Sequence, residues 1–497
     1  MVDVSAVARV VGIDTKFKDL RAGSILFLPQ RIAVFAQGAS AVTYSTTKRQ
    51  ITSAAEAGSV YGFGSPAHLS ARELLPVNGD GVGSIPVTIY PLVDHGSGVA
   101  AAGDILPGGT ATKATSFRVR IGGVLSAPFT VAQGAVVAAT VISAMLTAIN
   151  SVLEMPVIAS NGTTDVNLVA KWKGTSGNGI LIEMLAGDGG PLVLNGVTFG
   201  LTQPTGGLND PSITTALAQI GNVWETMALN AVGQATAILD EFQTFGEGRW
   251  GELVRKPLVV FAGTTQAVVG TATTIPAARA NDRVNAQLVA PGSPNLPFVV
   301  AARQLARIAK LANNNPPHDY GSQKATGLIP GLDSAQWDYA ARDLAVKAGS
   351  STVEVRDGVV NISDVVTFYH PTGEEPPAYR YVVDIVKLQN TIFNLDLQFA
   401  NDEWDGAPLI PDGQPTVNPE AKKPKMAKAV AAAICDDLGL HAIISDPGTA
   451  KKSIVAAINS GNPKRLDLTL TVQLSGNTNI VSVTLNFGFF FGVSVAA

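Results

Sequence analysis

From Leu466 the chain alternates: Leu466, Leu468, Leu470, Val472 and Leu474 share one face, and Asp467, Thr469, Thr471, Gln473 and Ser475 the other. A period of two is that of a half-buried strand. Gly476-Asn477-Thr478-Asn479 then predicts a hairpin turn, because Gly and Asn tolerate positive φ. A second run keeps Val481, Val483, Leu485, Phe487, Phe489, Phe491, Val493 and Val495 apolar. At ~3.3 Å per residue it reaches roughly 50 Å, long against a usual strand of about 5–6 residues. Its hairpin partner covers only the first part, so from Phe490 onward an apolar edge carries unpaired backbone groups. Two readings follow: a strand buried in its own sheet, or a strand given to a second copy of the chain. Val7, Val11 and Ile13 repeat the alternation weakly in an extended arm over 1–20.

Between these ends the pattern predicts a mixed α/β, multidomain chain. Strands over 25–28 and 31–35, a helix over 65–76 and a strand over 85–91 make a first small α/β unit, 21–104. Residues 96–109, rich in Gly and Ala, read as a linker. Strands over 116–121, 127–131, 156–160, 165–172 and 180–185, with a helix over 135–152, define an inserted β-rich domain, 105–208. Its Gly-rich joints suggest a self-contained module. From 209 to 370, apolar strands over 226–230, 257–262 and 285–290 alternate with helices over 213–220, 235–245 and 298–313. That rhythm predicts a parallel sheet covered on both faces. Residues 371–488 form a C-terminal domain, mostly helical (379–400, 419–438, 449–460) before the terminal hairpin, and 489–497 a C-terminal arm.

Composition narrows the class. With only 15% charged residues, Gly 50 and Pro 29 in 497 residues, the chain is loop-rich and sparsely charged, which leaves much surface for protein contacts. A formal net charge of −4 gives no drive toward nucleic acid or anionic membrane. The one cysteine, Cys435, cannot form an internal disulfide and suits a reducing compartment. Met1-Val2-Asp3 lacks the basic start of a signal peptide. The Ala-rich stretch over 129–149 is diluted by Gln133, Gly134, Thr140, Ser143 and Thr147 and reads as a buried helix rather than a membrane span.

Catalytic chemistry finds little footing. His68, His95, His318, His370 and His441 lie far apart, with no zinc-type spacing. Gly103 to Lys113 is Gly-rich but misspaced for a phosphate loop. Gly246-Glu247-Gly248-Arg249-Trp250-Gly251 matches a dinucleotide fingerprint by letter, yet it follows a predicted helix and reads as a loop. Gly174-Thr175-Ser176 resembles a fragment of a serine-protease motif without partners for a triad. Asp402-Glu403-Trp404-Asp405 lacks calcium-loop spacing. Catalytic residues, metals and cofactors are accordingly expected to be none.

The basic residues stand out. Lys422, Lys423, Lys425 and Lys428 open one predicted helix, and Lys451 and Lys452 another. Cations there oppose the helix dipole, at ~0.3 kcal/mol or more each. An acidic surface on another protein would compensate them, the alternative being a solvated face.

The organisation as a whole resembles contractile phage tail sheath proteins, closest to the Mu-like family. The carrying segments are 156–160, 170–178 (Ala-Lys-Trp-Lys-Gly-Thr-Ser-Gly-Asn), 257–263, 341–345, 379–388 and 477–488. The resemblance implies a structural subunit that polymerises as a helical sheath around an inner tail tube protein. It then contracts to drive the tube through a bacterial envelope. It implies a subtilisin-like middle domain without protease activity, and arms that enter the sheets of neighbouring subunits. Val7, Val11, Ile13, Phe487, Phe489, Phe491, Val493 and Val495 then become arm contacts, and the lysines face the tube. Baseplate and tail terminator proteins are further implied partners, with no nucleic acid and no membrane, in a virion assembled in the bacterial host cytoplasm. A different tail or baseplate protein, or a hydrolase-like enzyme, are the alternatives.

Overall fold

The computed structural model describes residues 26–374, 377–479, 481–485 and 487. The stretch over 26–28, expected as a strand, is extended but joins no sheet. β1 (Ile32–Gln37) is fully buried, followed by β2 (Arg49–Ile51), α1 (Ala54–Tyr61), α2 (Pro66–Leu74) and β3 (Val87–Leu92). Ser53 caps α1 by accepting from the Glu56 N–H, and Ser65 caps α2 by accepting from His68, with Pro66 in the first turn. The sequence pattern does not reveal α1. It carries Gly58 mid-helix, where a Cβ would stand 2.5 Å from the Phe63 ring.

Nine strands and one long helix follow before the chain returns to the first sheet. They are β4 (Ala102–Ala111), β5 (Thr115–Ile121), β6 (Val124–Leu125), β7 (Phe129–Val131), β8 (Gly134–Ala135), α3 (Ala138–Asn150), β9 (Val157–Asn161), β10 (Val166–Ala170), β11 (Ile182–Ala186) and β12 (Val197–Thr205). They form one sheet of order β12-β4-β10-β9, with β8 on β4, and another of order β11-β5-β6, with β7 on β5. Much of the expected linker is therefore β4. Its glycines serve close approach instead of flexibility: a Cβ on Gly103 would lie 2.4 Å from the Thr202 carbonyl, and one on Gly109 2.3 Å from that of Gly196. Nor is the β-rich segment self-contained. Its Trp172 is fully buried and meets Phe298 edge-on at 5.9 Å, and both belong to one continuous core.

Next come α4 (Thr214–Ala218), β13 (Met227–Asn230), α5 (Thr236–Trp250), β14 (Val259–Thr264), α6 (Val269–Ala272), α7 (Thr274–Ala277), β15 (Asn285–Val289) and α8 (Pro297–Asn314). The main sheet has the order β15-β14-β13-β1-β3-β2, parallel except for the edge strand β2. The stretches 21–104 and 209–370, separate in the sequence reading, thus share one sheet. Both faces are covered as expected: α2 and α8 on one, α4 and α5 on the other. The Gly-rich fingerprint at 246–251 is no loop: it is the end of α5, where Gly246 leaves room for Val284.

The rest comprises α9 (Tyr339–Lys347), a hairpin of β16 (Thr352–Arg356) and β17 (Val359–Asp364), α10 (Val382–Phe399), α11 (Pro424–Leu440), α12 (Pro447–Ser453), β18 (Val455–Ile458) and β19 (Leu466–Thr469). The expected helix over 449–460 ends at Ser453, and β19 pairs with β18 rather than with the run after Asn479. The upstream turn wins because Asn459 organises it: its Oδ1 accepts from the N–H groups of Gly461 and Asn462, and its own N–H donates to Arg465. The alternation itself holds. Leu468, Leu470, Val472 and Leu474 pack on the small core of α11 and α12, around Ile434, Leu438 and Ile443.

Candidate functional site

The crevice at the carboxyl ends of parallel strands, where the strand order reverses, is where open α/β sheets hold ligands. Here that point lies between β1 and β13, and the β-rich segment occupies it. Gln37, at the end of β1, donates to Asp94 at 2.6 Å and to the Lys173 carbonyl at 2.7 Å. The turn over 175–179 faces Asn230, Gly263 and Phe298, leaving a cavity of 180 Å³. Ser176 accepts from the Trp172 indole at 2.8 Å, so the protease-like fragment does packing work. Among the described residues no group of three or more His, Cys, Asp or Glu is placed to hold a metal. His68 is buried against Phe63, accepts from the Gly64 N–H, and burial pushes it down to about 4. Glu403 of the acidic cluster pairs with Lys422.

A run of exposed apolar positions lies toward the C-terminal end. Among the described residues, β18 and β19 form a two-stranded ribbon. Beyond Asn479, Val481, Val483, Leu485 and Phe487 are 73–86% exposed and join no strand. They are the first half of the alternating face read from the sequence. Phe489, Phe491, Val493 and Val495, and Val7, Val11 and Ile13, lie outside the described residues.

The lysines separate into two groups. Lys422 precedes α11, is 5% exposed, pairs with Glu403 at 2.6 Å and lies over the Trp404 ring, so its charge is spent within the chain. Lys423 is the N-cap of α11 and donates to the Gln414 carbonyl. Lys451 and Lys452 do not open a helix. They close α12, whose N-cap is Asp446, and there they favour the dipole. Lys451 also pairs with Asp436 at 2.6 Å. Lys425, Lys428 and Lys452 are exposed.

The helix expected over 379–400 is α10, but the role of its polar positions escaped the sequence reading. α10 buries a polar stripe, Lys387, Asn390, Thr391 and Asn394. Asn394 accepts from the Leu26 N–H at 3.0 Å and donates to its carbonyl at 2.9 Å, and Asn390 accepts from Leu28 at 2.8 Å. Lys387 Nζ donates to Asp384, to the Ser475 carbonyl and to Asn477 Oδ1. The i, i+3, i+4, i+7 spacing of these residues was the available signal.

Two solved structures align along most of the chain. A sheath tail protein from Listeria innocua aligns over 92% of this chain and 94% of its own, at 13% identity and a TM-score of 0.49. One from Desulfitobacterium hafniense gives 11% identity over 94% of this chain and 100% of its own, at a TM-score of 0.46. By sequence, the chain is similar to the Mu-like prophage FluMu tail sheath protein of Haemophilus influenzae, 23% identical over 451 residues, 88% of each chain. The resemblance read from the residues is thereby borne out. No family model matches the chain.

Proposed function

We propose that this chain is the sheath subunit of a contractile tail, polymerising helically around an inner tube and contracting to drive that tube through a bacterial envelope. The observation that carries the reading is the exposed alternating run Val481–Val483–Leu485–Phe487, which joins no sheet among the described residues. An apolar strand that its own chain leaves unpaired is satisfied by adding to a sheet edge of another copy, through main-chain hydrogen bonds. Similarity to a tail sheath protein along 88% of the chain supports the same role. Phe489, Phe491, Val493 and Val495 extend this arm, and Val7, Val11 and Ile13 form its N-terminal counterpart. Exposed Lys425, Lys428 and Lys452 face the tube. The subunit is a virion component assembled in the host cytoplasm, with baseplate and terminator proteins at the ends of the sheath.

A structural rather than catalytic role agrees with the filled crevice of the main sheet, which a subtilisin-like middle domain would otherwise use for chemistry. Contraction then draws on lattice contacts, with subunits rotating while the donated strands stay paired. Deleting residues 489–497 tests the reading. Negative-stain microscopy should show tubes or rings from the full chain and only dispersed, folded subunits from the truncated one. Tubes from the truncated chain would sink strand donation from this end.

A further inference from the structure

A lysine ammonium with no exposed side-chain surface holds its position only if its charge and its donors are met inside the protein. Lys387 Nζ is such a group, with a fully buried side chain. Asp384 supplies one acceptor at 2.9 Å, and the other two come from the terminal segment: the Ser475 carbonyl at 2.5 Å and Asn477 Oδ1 at 2.6 Å. Asn477 in turn donates to the Pro317 carbonyl at 2.8 Å. One and two turns further along α10, Asn390 and Asn394 present amides to the backbone of Leu28 and Leu26, much as a neighbouring strand would. Thr391, on the same stripe, returns its hydroxyl to the Lys387 carbonyl, within the helix.

We propose that the buried polar stripe of α10 is a two-ended anchor: Lys387 grips the root of the C-terminal segment, and Asn390 and Asn394 grip the root of the N-terminal one. One helix thus holds the backbone at Leu26 and Leu28 and at Ser475 and Asn477. Such burial is costly for polar groups with apolar alternatives, so its return lies in fixing where the segments depart. Gly476, between the two gripped residues, has no atom within 4 Å of where a side chain would begin. Ser475 is also held by its N–H on the Ile443 carbonyl and its hydroxyl on that of Ala442, so Lys387 and Asn477 fix the step beyond a bridge that Leu474 already makes with Ile444. That these segments act as arms rests on the proposed function; the grip itself does not.

Hydrogen exchange on the full-length chain, kept dilute and unassembled, tests it with Lys387→Met, Asn477→Ala and the pair Asn390→Ala/Asn394→Ala. Lys387→Met and Asn477→Ala should each speed exchange across 474–479 on the order of tenfold, the worth of one charge-assisted hydrogen bond. Amides 26–28 should stay protected in both. The asparagine pair should do the reverse, opening 26–28 and sparing 474–479. Asn477→Ala lies outside the helix and serves if Lys387→Met does not fold. Unchanged exchange at 474–479 in Asn477→Ala, or a uniform rise through α10 and α11 in every variant, would reduce the stripe to ordinary helix packing and overturn the anchor.

Discussion

His68 shows how burial sets a titration. It is neutral because α2 carries it into an apolar site under Phe63, and burial lowers it from 6.5 to about 4. In the unfolded chain it binds a proton near pH 6.5; in the folded chain it resists until about pH 4. Its contribution is therefore complete above pH 6.5 and lost as pH falls toward 4, up to about 3 kcal/mol. Urea midpoints measured from pH 7 to pH 4 should fall for the natural chain, and His68→Gln should flatten that slope. An unchanged slope would place the acid sensitivity elsewhere. Trp172 acts at the same scale by packing. Its replacement by Ala removes the ring that meets Phe298 and should cost ~3–5 kcal/mol, read as a drop in thermal midpoint.

At the scale of elements, the apolar strands β1, β3, β13, β14 and β15 were legible because parallel strands covered on both faces read as continuous hydrophobic runs. The long helices α3, α5, α8 and α10 were legible by their period. Glycine misled three times: at Gly103 and Gly109 it marks strand contact where a linker was read, at Gly58 it hides a helix, and at Gly246 and Gly248 it lies inside α5 where a loop was read. The terminal alternation gave the correct inward face but the wrong partner, since period alone does not say which of two turns closes a hairpin. Polar positions on α10 look like a solvated face until the segments that cover them are known. The β-rich insertion, expected as a separable module, shares its core with α8. Replacing 105–208 by a Gly/Ser linker should leave Phe298 and Leu296 uncovered, and the product should lose its cooperative thermal transition. A sharp transition at the natural midpoint would restore the module.

For the whole molecule, the test of charge falls on the lysines of α11 and α12 that stay exposed. Reversing Lys425, Lys428 and Lys452 to Glu should weaken co-sedimentation with the inner tube several-fold at low salt and much less near 1 M, where the Debye length is about 3 Å. Lys422→Glu should instead unfold its own corner, because it places a second carboxylate against Glu403. Equal tube binding by the triple variant would return these lysines to solvent.

The interrupted main sheet also sets the order of events during synthesis. Arg31 and Thr226, at the seam of β1 and β13, bond to each other across 195 positions. On the ribosome, β1 and β3 therefore wait through the whole β-rich insertion for the strands that complete their sheet. Local pairings such as β9 with β10 can close long before then. At about 5–20 residues per second, that wait lasts on the order of ten seconds or more. During it the apolar faces of β1 and β3 are open, and chaperone demand should peak before residue 264 emerges.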